Sequence, residues 1–74
     1  MANVAIENLT RQAIPILHVD VDDPAGLVYY IMTDRERVVM DEALVSQDIT
    51  DKVNAGYLTN GATNDSPTAT RFGA

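Results

Sequence analysis

Residues 27–33 read LVYYIMT, and the pattern of this stretch decides the fold. Leu27, Tyr29 and Ile31 alternate with Val28, Tyr30 and Met32, so a strand here carries apolar side chains on both faces. Such a strand asks for cover on both sides, which fits a central position in a small two-layered β structure. Immediately upstream, Asp23, Pro24, Ala25 and Gly26 have the acid, proline and glycine of a type I turn at its first, second and fourth positions. Before that turn, residues 13–21 form a second extended run, with Ile14 and Ile16 on one face and Leu17, Val19 and Val21 on the other. Pro15 cannot donate a ladder hydrogen bond, and so favours an edge or a bulge. A first strand covers residues 3–9, with Val4 and Ile6 on one face, until Asn8 and Thr10 interrupt it.

Downstream, the charged residues 34–37 (DRER) read as a turn and residues 38–40 as a short fourth strand. The apolar period then changes. Ser46 suits a helix N-cap, and Asp48 and Asp51 place negative charge early in the helix. Ile49 and Val53 share one face at i and i+4, and Gly56 suits the left-handed position after the end. This predicts a helix near residues 47–55, too short to persist alone, whose Ile49 and Val53 face packs on the sheet. Residues 57–59 can return as a closing strand, and Asn60-Gly61 marks the exit from the domain. The expected fold is mainly β: a small barrel or sandwich of four to six strands, one short helix, a compact domain over residues 1–61 and an extended C-terminal arm over residues 62–74.

At 74 residues the chain makes one domain, and with the arm set aside the core is small enough that burial only just balances chain entropy. No cysteine is present to form disulfides, and the single histidine cannot complete a structural zinc site. Support from copies of itself or from a larger partner is therefore expected. The formal charge is −6, and the five basic residues, Arg11, Arg35, Arg37, Lys52 and Arg71, are dispersed along the sequence. Both facts argue against nucleic acid and against anionic membranes as partners. Residues 1–10 lack the basic start and long apolar run of a signal peptide, and no stretch is long enough to cross a bilayer as a helix, so synthesis in the cytosol is expected.

No chemical constellation stands out. Asp20, Asp22 and Asp23 alternate like part of a calcium loop, yet Pro24 and Ile31 occupy positions where such a loop needs oxygen ligands, so they read as turn formers. His18 has no cysteine or serine near it in sequence and reads as a strand histidine facing solvent or a subunit contact. Asp41 and Glu42 would point to opposite faces of a strand and cannot share a proton. Asn8-Leu9-Thr10 matches a glycosylation sequon, an accidental match in a chain without a secretory signal. The four glycines, at 26, 56, 61 and 73, are too scattered to cradle a phosphate. A non-enzymatic role without cofactor, metal or small-molecule substrate is the expectation.

The segment 62–74, ATNDSPTATRFGA, holds a single large apolar side chain, Phe72. A polar segment of this kind cannot fold on its own account, and fully extended it spans roughly 40 Å, enough to reach a neighbouring subunit. Pro67 and the threonines favour extended backbone, Phe72 is the natural anchor in a partner pocket, and Arg71 can pair with an acidic rim.

The order of features resembles a known group. An early strand ending in NLT (8–10), an apolar strand over 14–17, valines at 38 and 39, and then Ser46, Ile49, Val53, Gly56 and Leu58 in SQDITDKVNAGYL are similar to the small β-rich accessory proteins of tailed bacteriophage particles. Several of those proteins end a compact β domain with a short helix, a glycine and a final hydrophobic strand. The resemblance covers about residues 3–59 and implies a non-enzymatic virion component, such as a capsid decoration or cement protein, or a connector or tail accessory protein. Its partners would be a larger capsid or tail protein and copies of itself. The middle hairpin around residues 22–26 is more elaborate than the group leads one to expect, and a glycine and proline turn is missing where DRER stands. The alternative drawn from the residues alone is a small regulatory module that receives a peptide by strand addition near Pro15 or the paired Tyr29 and Tyr30.

Overall fold

The computed structural model describes residues 3–61 and 68–72. Six strands lie in two sheets. Strands β1 (Asn3–Asn8), β4 (Arg37–Asp41), β5 (Leu58–Asn60) and β6 (Thr70–Phe72) form the larger sheet in the order β5-β1-β4-β6. Strands β2 (Ile14–Val19) and β3 (Leu27–Met32) form a separate two-stranded antiparallel sheet. A short 3-10 helix, η1 (Glu42–Leu44), and the helix α1 (Gln47–Asn54) link β4 to β5. The fold is thus mainly β with one short α-helix, as the alternation of the sequence predicts.

Strand parity places the core. In the antiparallel β1–β4 ladder, Val4 lies opposite Met40 and Ile6 opposite Val38, and these inward positions meet Ile16 and Met32 of the two-stranded sheet. Leu44, Ile49 and Leu58 complete the same buried cluster, with Val53 packed against it. Helix α1 starts where expected: the Ser46 side chain accepts the Ile49 N–H, and the same hydroxyl donates to the Leu17 carbonyl of β2. It ends on Gly56, whose φ of 91° is the left-handed conformation foreseen from its position. The turn of residues 34–35 carries its positive φ on Arg35, at 59°.

Three expectations are corrected here. Strand β3 is not central: among the described residues its only ladder partner is β2, and of its two apolar faces only the one bearing Val28, Tyr30 and Met32 turns inward. Asp41 and Glu42 do not continue a strand, because the Asp41 carboxylate accepts the Ala43 N–H and caps η1. The division of the chain at residue 61 does not hold for residues 70–72. They pair in parallel with β4, Val38 opposite Thr70 and Met40 opposite Phe72, and Phe72 packs against the core of the body. A lone aromatic ring in a polar segment finds apolar surface in its own domain. Pro67 and the remainder of the expected arm, residues 62–67 and 73–74, lie outside the described residues.

Candidate interaction surface

Three side chains of β3 stand out by exposure. Leu27 is 57%, Tyr29 63% and Ile31 51% accessible. They occupy alternate positions of one strand, so they share one face, and the register sets them opposite Val19, Leu17 and Pro15 of β2. Leu27, Tyr29 and Ile31, with Leu17 and Pro15 beside them, therefore tile the outer face of the hairpin, while Val19, opposite Leu27, also packs against the core. Exposed apolar residues scattered singly are ordinary, but a contiguous set on one sheet face marks a contact surface. Between this face and α1 lies an open hollow of about 140 Å³, lined by Pro15, Ile16, Leu17, Tyr29, Asp48 and Lys52.

The two edges of the hairpin differ. Along β2, the Leu17 N–H donates to Asp48 Oδ2 at 3.0 Å, and the Leu17 carbonyl accepts from the Ser46 hydroxyl. Both main-chain groups of Leu17 are thus turned away from β3 and satisfied by the start of α1. In an antiparallel ladder a residue and its direct partner point their N–H and C=O groups the same way, both into the pair or both out of it. Tyr29, the partner of Leu17, therefore turns its own main-chain groups away from β2, and by the alternation of the ladder so do Leu27 and Ile31. Pro15 sits at one of these outward positions, where its missing N–H costs nothing to the ladder. The result, among the described residues, is one edge capped by a helix and one edge, that of β3, with no strand beside it.

The electrostatics support the capped edge. Burial alone would raise the pKa of Asp48, but hydrogen bonds from Lys52 and from the Leu17 N–H, together with the Lys52 charge, outweigh it and hold the carboxyl below its ordinary value. The Lys52 Nζ stands 2.6 Å from Asp48 Oδ1, an i,i+4 pair on α1.

A second cluster gathers at the other end of the hairpin. Burial pulls the Glu36 carboxyl upward, yet hydrogen bonds from the Tyr30 hydroxyl, the Thr33 N–H and the Thr70 and Thr33 hydroxyls lower its pKa on balance. Tyr30 in turn is raised, first by burial and then by its bond to Glu36. A polar depression beside this cluster is lined by Glu7, Thr33, Arg35, Glu36, Arg37 and Thr68. Arg37 lies 3.6 Å from Glu7 and Glu36 is occupied by its four donors, so these three charged groups are engaged with their neighbours, while Arg35 belongs to neither pair.

The residues singled out by sequence fall as follows. Asp20 and Asp23 are turn formers, their side chains accepting the N–H groups of Asp22 and Ala25, while the Gly26 N–H closes on the Asp23 carbonyl. No group of three or more histidine, aspartate or glutamate residues is placed to hold a metal among the described residues. His18 is corrected: it is only 5% exposed, its Nδ1 lies 2.9 Å from the Val19 carbonyl oxygen, and its ring stacks on Phe72. Phe72 also meets Tyr30 edge to face at 4.9 Å, so the anchor expected in a partner pocket fills an aromatic slot of its own domain. Arg71, opposite Val39 on β6, is exposed. Ile49 is fully buried, and Val53 and Gly56 hold the structural places expected of them. The exposed trio on β3 and the tether from Asp48 to Leu17 escaped the sequence reading. Only the two-sided apolar pattern of LVYYIMT hinted at them.

Comparison with known proteins finds no matching family model, curated protein or solved structure.

Proposed function

We propose that this chain is a non-enzymatic structural subunit that works by docking into a larger assembly. One observation carries the reading: LVYYIMT is written for cover on two faces, and within the described residues only one face is covered. Apolar surface of this kind gains on the order of 25 cal/mol for each Å² removed from water, and an assembly supplies the missing layer. In its narrower form the proposal is a virion accessory protein of a tailed bacteriophage, a capsid decoration protein or a connector or tail accessory. The resemblance in NLT, in Val38 and Val39, and in the run from Ser46 through Gly56 to Leu58 supports that form. Its partners would be a larger capsid or tail protein and copies of itself.

The open edge of β3 favours a second reading, a small regulatory module that receives a peptide by strand addition. Sedimentation of the chain from the cell that produces it separates the two. A structural subunit travels with a particle far larger than itself in many copies, and Tyr29→Lys releases it while the circular dichroism of the isolated domain stays unchanged. A chain found only at monomer or dimer mass overturns the assembly reading in favour of the module.

A further inference from the structure

From the open edge and the uncovered face of β3 we infer that two copies of this chain join through β3, antiparallel, about a two-fold axis at Tyr29. The inference goes beyond the assembly reading: it gives the β3 edge a partner and leaves the outer apolar face, on which that reading rests, to the larger one.

The register follows from strand parity. Among the described residues, the main-chain groups of β3 turned away from β2 and left without a strand partner are those of Leu27, Tyr29 and Ile31. A two-fold at Tyr29 sets Tyr29 against Tyr29 of the second copy and Leu27 against its Ile31, which engages all three outward residues of each copy in about six main-chain hydrogen bonds. A shift by one residue would oppose outward to inward groups. The two-fold arrangement at Tyr30 would bring Leu27 against Thr33, whose N–H is already given to Glu36 Oε1 at 2.9 Å.

Charge agrees with this arrangement. The turn that enters β3 carries Asp20, Asp22 and Asp23, the latter two exposed, and the opposite end carries exposed Arg35 with Arg11 and Asp34 nearby. Neither Arg11 nor Arg35 belongs to the ion pairs Arg37–Glu7 and Lys52–Asp48. Antiparallel pairing about Tyr29 brings each acidic turn toward the arginine end of the other copy. In a chain of net charge −6, a parallel arrangement would instead bring acidic turn to acidic turn. The outer faces also become continuous. The paired hairpins form a four-stranded sheet whose outer side carries both tyrosines, both isoleucines and the leucines and prolines beside them, with the two Tyr29 rings as cross-strand neighbours.

Because the chain has no cysteine, single replacements report the register directly. Sedimentation equilibrium at tens of micromolar should give twice the mass of the chain, and Tyr29→Lys should return it to the monomer mass with an unchanged circular dichroism spectrum. Under mild oxidation, Tyr29→Cys should cross-link to a covalent dimer, Leu27→Cys should not, and the double replacement of Leu27 and Ile31 by cysteine should. A monomer throughout that concentration range overturns the inference. So does efficient cross-linking of Leu27→Cys alone, or a dimer that survives Tyr29→Lys, either of which moves the contact elsewhere. Particle association with no self-association sinks the dimer and leaves the assembly reading standing; a dimer that never joins a particle does the reverse.

Discussion

The imidazole of His18 stacks on the ring of Phe72, with centroids 4.5 Å apart and planes inclined by 19°. This contact joins the inward face of β2 to β6, and Tyr30 closes the slot edge to face from β3. Phe72 is thereby a structural residue of the body. Its half-buried ring contributes less than a full core phenylalanine, so Phe72→Ala should cost about 2 kcal/mol in urea denaturation. Truncation after Gly61 removes the slot's occupant and the whole of β6, and should lower the melting temperature by several degrees. A truncated chain that melts with the full one would show that β6 is not bound in solution.

Asn8 is fully buried, and its side-chain amide donates to the carbonyls of Gln12, Met32 and Thr33 while its oxygen accepts from Thr10. One short side chain thus ties β1 to the loop before β2 and to the end of β3. Asn8→Ala removes the amide from all three, and although the Gln12 carbonyl keeps the Thr10 hydroxyl and the Thr33 carbonyl keeps the Glu36 N–H, the loss of these buried bonds should destabilise by about 2 kcal/mol. Asn8→Asp should be worse, since a carboxylate would face three carbonyl oxygens, and raising the pH from 4 to 7 should deepen the loss as the acid ionises. Urea midpoints of the two variants across that range test the ordering.

Gly56 has a φ of 91°, and a Cβ built on it would meet no atom within 4 Å. The cost of Gly56→Ala is therefore a matter of backbone conformation alone, about 1 kcal/mol, with no steric addition. Gly56→Asn should recover part of the loss, because asparagine tolerates the left-handed region better than alanine. Equal melting temperatures for glycine and alanine would contradict the conformation.

Asp48 and Glu36 both titrate below their ordinary range in the folded chain. A carboxyl whose folded pKa is depressed stabilises the fold above its unfolded pKa, about 4, and that stabilisation drains away as the pH falls through the folded value. Stability should accordingly fall on acidification below about pH 4, and Asp48→Asn should flatten part of the decline while lowering stability at pH 7. Tyr30 works in the opposite sense: its raised pKa means stability present below the unfolded value, about 10, and lost as pH rises through the folded one. Melting temperatures measured across both limbs, with Tyr30→Phe as the alkaline control, check the signs.

Most of the secondary structure was legible because it rests on local rules. Strand alternation, the 23–26 turn, the Ser46 cap and the Gly56 exit each depend on a few neighbouring residues and appear where the pattern predicts. What escaped depends on pairings distant in sequence. That His18 is buried follows from Phe72, and that β3 lies at an edge follows from its pairing with β2 alone in a two-stranded sheet among the described residues, which no local pattern encodes. Asn8 looked like an interruption because its donors reach carbonyls more than twenty positions away. The candidate surface was half legible: LVYYIMT announced two apolar faces, but not which of them the domain would leave bare.

Ser46 and Asp48 give the hairpin a blocked side as well as an open one, since their side chains satisfy the Leu17 carbonyl and N–H that another strand would need. A strand pair open on both sides can add copies without limit and grow into a fibre. With one side stoppered by the first turn of a helix, growth through this sheet ends after a single addition, and a closed, countable contact results. Replacing both Ser46 and Asp48 by alanine would unstop it, so the same two residues that anchor α1 also stand guard against runaway polymerisation.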